Sequence, residues 1–437
     1  MQVSIENVGT LGRKLTVSVP SDQLESTIRQ RLNELSRTVR LKGFRPGKVP
    51  GKVIEQRFGV QVRNEAVGDL IQRSFNEAVH KENLRPAVQP QIETSGLPEG
   101  GEFKYVATFE VMPEIGAIDV SALKITRPVA EVVDADIDRM IETLRQQRRT
   151  WEDVQRPGQK GDLVMFESVA FTTDAGRIPA EGVDRSGTVL GSGGILVELE
   201  EQLVGLGAGD SKSVEVTFPG DYRNPALAGK AAKIDVKVVR VSESKLPELD
   251  DEFFAAFGIP NGGTERFRAE VRSNLERELK GALMVRLKND VIAKLLASHA
   301  DLDVPSRMIE AEARGLARQA VEQARSQGQK VPEDVSFESF LETARQRVMA
   351  AVLLGELARQ NNIRLDPARL QEVMQLIAST YEEPDQVIEL YRKDPQLLDG
   401  LRSRVIEDQV IDWIADHADA STTMLSFEDV MNQGSAA

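Results

Sequence analysis

Cysteine is absent from the 437 residues, so disulfides, thiolate catalysis and cysteine-ligated zinc are excluded and a reducing compartment is permitted. Aromatic residues make up only 5%, which suits a soluble chain rich in exposed helix and poor in large compact cores. No run approaches the ~18 uninterrupted apolar residues of a membrane span, and the start, Met1-Gln2-Val3-Ser4-Ile5-Glu6, has no basic stretch leading into an apolar one. A cytoplasmic location is the expectation. Histidine occurs three times, at His80, His299 and His417, with no second ligand at a recognisable spacing, so no metal site is expected. The strained Gly-x-Ser-x-Gly turn of a hydrolase does not occur. Gly205-Leu206-Gly207-Ala208-Gly209 runs into Asp210 and not into Gly-Lys-Ser/Thr, so it reads as a turn and not as a phosphate cradle. No cofactor is expected, and ATP-driven action finds no support.

Charge, by contrast, is plentiful. Charged residues are 28% of the chain and the formal net charge is −14, which argues against a general nucleic-acid binder. One stretch runs the other way. Between Arg37 and Arg63 stand eight basic residues, Arg37, Arg40, Lys42, Arg45, Lys48, Lys52, Arg57 and Arg63, against one acid, Glu55. That segment carries +7, which leaves −21 for the remainder. A small basic patch on an acidic molecule suits an oriented encounter with a polyanion, the acidic remainder being held away.

A chain of this length is expected to hold about two to four domains. In Lys14-Leu15-Thr16-Val17-Ser18-Val19 apolar and polar residues alternate as in a half-buried strand, which Pro20 ends. Ser21 or Asp22 then caps a predicted helix with Leu24, Ile28, Leu32 and Leu35 on one face. The Gly/Pro-rich loop 43–50 breaks it, a second predicted helix carries Val62, Ala66, Leu70, Ile71 and Phe75, and strand-like runs follow near Gln89 to Glu93 and Phe103 to Val111. Residues 1–112 thus read as an α+β domain with its basic loop between two helices. Residues 113–150 read as a linker, too small to fold alone, that packs with the C-terminal part. Short β runs between glycine-rich turns mark a sheet-rich domain over 151–243, and 244–418 reads as almost wholly helical. Residues 419–437 read as a loose tail. The expected class is α+β and multidomain.

The loop at 43–50 carries the strongest signal. Two glycines and two prolines within eight residues fix a turn around a phenylalanine that has no helix or strand period to bury it. Phe44 either fills a crevice on a partner, a burial that contributes roughly 1.5 to 3 kcal/mol, with Arg45 and Lys48 pairing phosphates or carboxylates, or folds back onto its own domain. As written, Gly43-Phe44-Arg45-Pro46-Gly47-Lys48-Val49-Pro50 matches the ribosome-binding signature of the trigger factor family, which the chain resembles over essentially its whole length. Leu246-Pro247-Glu248-Leu249-Asp250-Asp251-Glu252-Phe253, followed by Phe257-Gly258, also resembles that family's re-entry into its C-terminal domain.

The resemblance implies an α+β ribosome-binding domain, an FKBP-like peptidyl-prolyl isomerase domain and a helical C-terminal domain with arms, in the order of the segments above. It implies that Gly43, Phe44, Arg45, Pro46, Gly47 and Lys48 meet a large-subunit protein and nearby RNA beside the ribosomal exit tunnel. The other partners it implies are nascent unfolded polypeptides, with no membrane; a homodimer off the ribosome is compatible with it. An isomerase of this type encloses the prolyl ring in a largely aromatic pocket that favours the twisted amide over the planar one. On the family's frame, present here as Gly161-Asp162, Gly205, Ala208-Gly209, Val216-Thr217-Phe218-Pro219 and Gly229-Lys230-Ala231-Ala232-Lys233, Tyr222 matches the pocket tyrosine and Leu196 falls where a backbone N–H is contributed. Ser168, Leu199 and Ile234 stand where the family usually places rings, and Val197-Glu198 replaces the usual Pro-Gly. Losing three aromatic walls is expected to widen the pocket and weaken its hold on proline.

The expected function is therefore an ATP-independent holding chaperone at the exit tunnel with a weak isomerase activity. Apolar stripes on the arms, with Met308, Met349 and Met374 as adaptable contacts, face clients, while part of each stripe packs helix on helix. Two readings compete with it. One is a dedicated prolyl isomerase whose helical arms bind substrate. The other is an RNA-binding protein using 37–63, against which the acidic remainder and the lack of interleaved aromatics count.

Overall fold

The computed structural model describes residues 1–41, 44, 49–94, 102–172, 176–220, 222, 227–328, 335–381 and 383–432. In chain order the first elements are β1 (Gln2–Val8), β2 (Gly12–Pro20), α1 (Ser21–Thr38), α2 (Gly51–Lys81), β3 (Gln91–Thr94), β4 (Glu102–Glu110) and β5 (Lys124–Val129). Next come α3 (Asp134–Gln147), β6 (Thr150–Val154), β7 (Leu163–Thr172), β8 (Gly176–Ile178), β9 (Asp184–Val189), α4 (Val197–Leu203), β10 (Ser211–Thr217) and β11 (Ala231–Lys245). The remainder is helical, with α5 (Asp251–Ala255), α6 (Gly263–Ser298), α7 (Ser306–Ser326), a 3-10 turn (Phe337–Phe340), α8 (Leu341–Gln360), α9 (Pro367–Ala378), α10 (Pro384–Lys393) and α11 (Pro395–His417). It closes with β12 (Asp419–Met424) and α12 (Phe427–Asn432). The expected α+β multidomain class is what this element order gives. Among the described residues no helix is long and apolar enough to cross a membrane.

Helix starts follow punctuation in the sequence. Asp366, Asp394 and Asp250 each stand just before a helix and accept hydrogen bonds from first-turn amides, Ala368 N–H at 2.8 Å, Gln396 N–H at 2.9 Å and Phe253 N–H at 2.9 Å. Pro367 and Pro395 occupy first-turn positions where no donor is needed. At α1 the cap differs from the expectation. Pro20 takes the cap position and Ser21 is already helical, so neither Ser21 nor Asp22 caps, and Asp22 acts through its charge at the positive end of the helix.

The chain divides into two compact units, residues 1–129 with 284–424, and residues 130–283 with 425–437. In the first, an antiparallel sheet runs β1-β2-β4-β3. Leu15, Val17 and Val19 of β2 and Phe103, Tyr105, Ala107 and Phe109 of β4 alternate onto one face. Phe75 and Ala78 of α2 cover that face, Phe75 meeting Phe109 edge-on at 5.2 Å between ring centroids. The Tyr105 hydroxyl is satisfied, lying 2.8 Å from Ser74 Oγ of α2.

A second core of the same unit is helical. Leu287, Val291 and Leu295 of α6, Leu353, Leu354 and Leu357 of α8, and Val410, Ile411 and Ile414 of α11 enclose Ile118, Val120, Leu123 and Ile125. Met349 and Met374 are buried and Met308 is half-buried, so these methionines serve packing here. Two carboxylates tie the sheet and helical parts of this unit together. Helix α7 has Pro305 as its cap and no side-chain cap of its own. Glu110, at the end of β4, fills that role by accepting from Ser306 Oγ at 2.8 Å, Ser306 N–H at 3.2 Å and Arg307 N–H at 2.9 Å. Glu356 of α8 is buried and accepts from Arg359 Nε and Gln360 Nε2, each at 2.9 Å, and from Arg85 at 3.4 Å. Gln360 in turn accepts from Ile118 N–H at 3.1 Å and donates to Gly116 O at 2.9 Å.

The second unit holds a sheet ordered β10-β11-β7-β8, with β6 also on β11 and β9 also on β7. Beside it Phe253, Phe254 and Phe267 pack with Ile137 and Ile141 of α3 and Val430 of α12. The C-terminal stretch corrects the expectation of a loose tail from residue 419. Within the first unit β12 pairs in parallel with β5 from Asp419↔Lys124 to Met424↔Val129, and within the second Val430 is 2% exposed and Glu428 pairs with Arg139 at 2.7 Å. Burial of Val430 and the strand ladder supply the order that composition alone does not signal. Residues 433–437 lie outside the described residues.

Two outcomes follow from the carboxylates. Glu110→Ala removes the cap of α7 and is expected to cost about 1 kcal/mol, read from the urea midpoint. Held by Arg359 first, then by Gln360 and Arg85 against the opposing effect of burial, the Glu356 carboxyl falls from its usual 4.5 to about 2. A depressed folded-state value means that its contribution is complete above about pH 4.5 and is lost as pH falls toward about 2. Glu356→Gln is expected to be less stable than the parent at neutral pH and to show a shallower loss of stability across that acid window, measured by denaturant titrations at each pH.

Candidate functional site

The first candidate lies on the sheet of the second unit. Strands β7 and β11 pair antiparallel with Ile234 opposite Ala170, Val236 opposite Ser168 and Val238 opposite Phe166. Side chains alternate along a strand, so these residues share one face. Leu199 and Leu203 of α4 are buried in the same cluster. Where that face is left open, a cavity of about 1270 Å³ forms, wider than the ~300–1000 Å³ of ordinary small-molecule sites. Ser168, Ile234 and Leu199 line it, together with Leu196 and Tyr222. Its rings come from Phe166, Phe218 and Tyr222, the last two 4.6 Å apart between centroids.

Local chemistry holds the surrounding loops. Asp162 is buried, which pushes its carboxyl up, but bonds from Arg156 at 2.5 and 3.1 Å and from Gln159 N–H at 2.8 Å bring it below its usual value. Arg156 also reaches Glu243 on β11 at 3.0 Å, fixing the 156–162 turn to the sheet. Gly161 takes φ 94°, a left-handed conformation open to glycine, and donates to Leu190 O at 2.8 Å. Leu196 accepts from Leu199 N–H at 3.0 Å and Glu200 N–H at 2.9 Å, while its own N–H bonds to no described residue. That amide is available to a carbonyl in the cavity. Among the described lining residues the charged ones are Glu181, Asp184 and Glu198, a rim that disfavours anions.

The second candidate is the turn between α1 and α2. Phe75, Ala78 and the residues near them seat one half of α2 on the sheet, whereas Ile54 and Val62, in the other half, are buried without joining that core. Arg31 of α1 pairs with Asp69 of α2 across the hairpin. Near its turn Arg37, Arg40, Lys52 and Arg57 are exposed, and so is Phe44, at 39%. Phe44 N–H donates to Leu41 O at 3.2 Å, and Val49 is buried. Gly43, Arg45, Pro46, Gly47 and Lys48 lie outside the described residues.

Residues 1–144 match the family model described as bacterial trigger factor protein, and residues 264–416 match the model of that protein's C-terminus. The chain is 50% identical over 436 residues to the trigger factor of Stenotrophomonas maltophilia, covering 99% of this chain and 100% of that one. The chain belongs to the trigger factor family. To the trigger factor of Xanthomonas euvesicatoria pv. vesicatoria it is 51% identical over 434 residues, covering 99% of this chain and 100% of the relative. A solved structure titled for the promiscuous substrate recognition of the trigger factor chaperone matches at 19% identity and TM-score 0.42, covering 95% of this chain and 99% of that one. The resemblance carried by the 43–50 string is borne out, and chaperone and protein folding describe the chain as they describe the trigger factor family.

In this trigger factor family member the five residues assigned from the family frame, Tyr222, Leu196, Leu199, Ile234 and Ser168, all line one cavity. Phe166 and Phe218 line it too, although neither was singled out as a pocket residue. The period of two along β7 carried the signal for Phe166, which lies two residues before Ser168 on the same face. The histidines stay apart at helix ends, with His80 and His417 in last turns and His299 following α6. Tyr222→Ala removes one ring of a tilted aromatic pair and is expected to cost about 1 kcal/mol while the sheet stays folded, checked by denaturant unfolding and the amide spectrum.

Proposed function

We propose that this chain docks at the exit tunnel of the large ribosomal subunit and holds nascent, unfolded polypeptides without nucleotide, working in the cytoplasm. The observation that carries the reading is a half-exposed phenylalanine, Phe44, at the turn of a basic helical hairpin on a molecule of net charge −14. A ring left in water beside cations suits an apolar crevice next to phosphates. Gly43, Phe44, Arg45, Pro46, Gly47 and Lys48 are the proposed contact, meeting ribosomal protein and RNA. In this reading residues 1–112 dock, 113–150 link, 151–243 form the FKBP-like domain and 244–418 hold clients. Tethering raises the local concentration of holding surface around the emerging chain, so weak contacts suffice and release needs no ATP.

The cavity supports a peptidyl-prolyl isomerase activity that is weak. Rings from Phe166, Phe218 and Tyr222 and the Leu196 N–H, which has no partner among the described residues, suit a prolyl peptide, but Ser168, Leu199 and Ile234 leave three walls without rings and the space wide. A dedicated isomerase is the weaker reading for that reason.

Co-sedimentation with ribosomes tests docking. Phe44→Ala, Arg45→Ala and Lys48→Ala combined is expected to lower the bound fraction at least about tenfold, the sum of one buried ring and two cations; unchanged binding would reject the assignment. Binding by the parent is expected to weaken as salt rises. In a protease-coupled proline-peptide assay, turnover well below that of an isomerase with a full aromatic pocket is expected, and equal turnover would refute a weak site.

A further inference from the structure

The parallel ribbon of β5 and β12 has one edge that nothing in the described chain uses. The inner strand is well anchored, with Ile125 1% exposed in the helical core and Thr126 N–H donating to Asp290 Oδ2 at 2.7 Å. The outer strand, Asp419-Ala420-Ser421-Thr422-Thr423-Met424, is exposed at every residue, and Met424 is 69% exposed. Its bonds run to β5 alone, and its far side makes no backbone hydrogen bond to another described residue. Parallel strands are ordinarily covered, and exposed edges are ordinarily blunted by lysine, proline or a bulge. Here the six residues include no lysine, arginine or proline, and the register runs from Asp419↔Lys124 to Met424↔Val129 without a shift.

We propose that the outer edge of β12 is a binding site for an extended, unfolded polypeptide segment, added as a third strand. What the edge offers is a row of backbone N–H and C=O groups at strand spacing, which only another extended backbone can match in register. Ala420, Ser421, Thr422 and Thr423 are small and uncharged, so they select no particular side chain and the site reads the partner's conformation. A helix or a folded surface has its backbone already paired and is excluded. The proposal rests on the holding function above and gives it a route to segments too polar for the apolar stripes.

The test uses the full chain and a labelled peptide alternating threonine and valine, with lysines at its ends. Two further versions carry backbone N-methyl groups, on alternate residues in one and on every residue in the other. Affinity is read by fluorescence anisotropy and amide exchange is followed at Ala420–Met424. The fully methylated version is expected to lose at least about tenfold in affinity, as two or more backbone hydrogen bonds would require, while the alternately methylated one, which keeps one edge free, binds like the parent peptide and the β12 amides slow in exchange. Equal binding by both versions, equal loss by both, or unchanged exchange at β12 overturns the proposal. Slowing in the free chain that deepens with its own concentration also overturns it, assigning the edge to a second copy. Suppression of aggregation of an unrelated denatured protein is measured alongside. If the parent suppresses aggregation while β12 is unaffected, the edge assignment alone fails; if it suppresses none, the holding function fails as well.

Discussion

The larger unit depends on the burial of one short segment that belongs to no helix. Ile118, Val120, Leu123 and Ile125 have no helix of their own and fill the space between α6, α8 and α11. Four buried aliphatic side chains at roughly 1.5 to 3 kcal/mol each make this segment a wedge that the surrounding helices cannot do without. Its backbone is held as well, since Gln360 bonds to both Gly116 and Ile118. From that fixed point the sheet of residues 1–111 is placed by Glu110 on the start of α7 and by Arg85 on Glu356. The helical part and the sheet that carries the basic hairpin are thus joined by named contacts within one unit.

Charge and apolar surface are separated along the chain in a way that divides its tasks. The basic run at 37–63 is confined to one hairpin, and the cavity on the sheet of the other unit has a carboxylate rim. The two surfaces thus carry opposite sign, cationic along the first and anionic around the second. The loops around the cavity are held by glycine turns and a buried Asp162, while Ser168, Leu199 and Ile234 line its walls without rings. Frame and walls answer to different constraints, since turns and buried ion pairs hold the fold, whereas the rings at the walls set what the space can grip.

Much of this was legible in the sequence, for physical reasons. Alternation in β2, β4, β7 and β11 is the direct trace of a one-sided sheet, and Asp-Pro at 366–367 and 394–395 marks helix starts because it satisfies their free amides. The string at 43–50 pointed to the family, although only Phe44, Val49 and Pro50 of it fall among the described residues. Long-range partners were not legible. Nothing local reveals that Ile118 shares a core with Leu353, that Glu110 caps a helix almost two hundred residues later, or that Val430 is buried. Met349 and Met374 show the same limit, because a methionine on an apolar stripe looks alike whether a client or a neighbouring helix covers it.

The discontinuity of the larger unit has a consequence for how the molecule is made. Strands β1 to β4 with α1 and α2 involve only the first 111 residues, so they can assemble while the rest is still being translated. The helical core cannot. Its last walls, Val410, Ile411 and Ile414, lie close to the end of the chain, and until they arrive Leu287, Val291 and Leu295 have no complete set of partners. During its own synthesis, then, this chaperone itself displays for a time the kind of unburied aliphatic stretch that makes any half-made chain prone to aggregate.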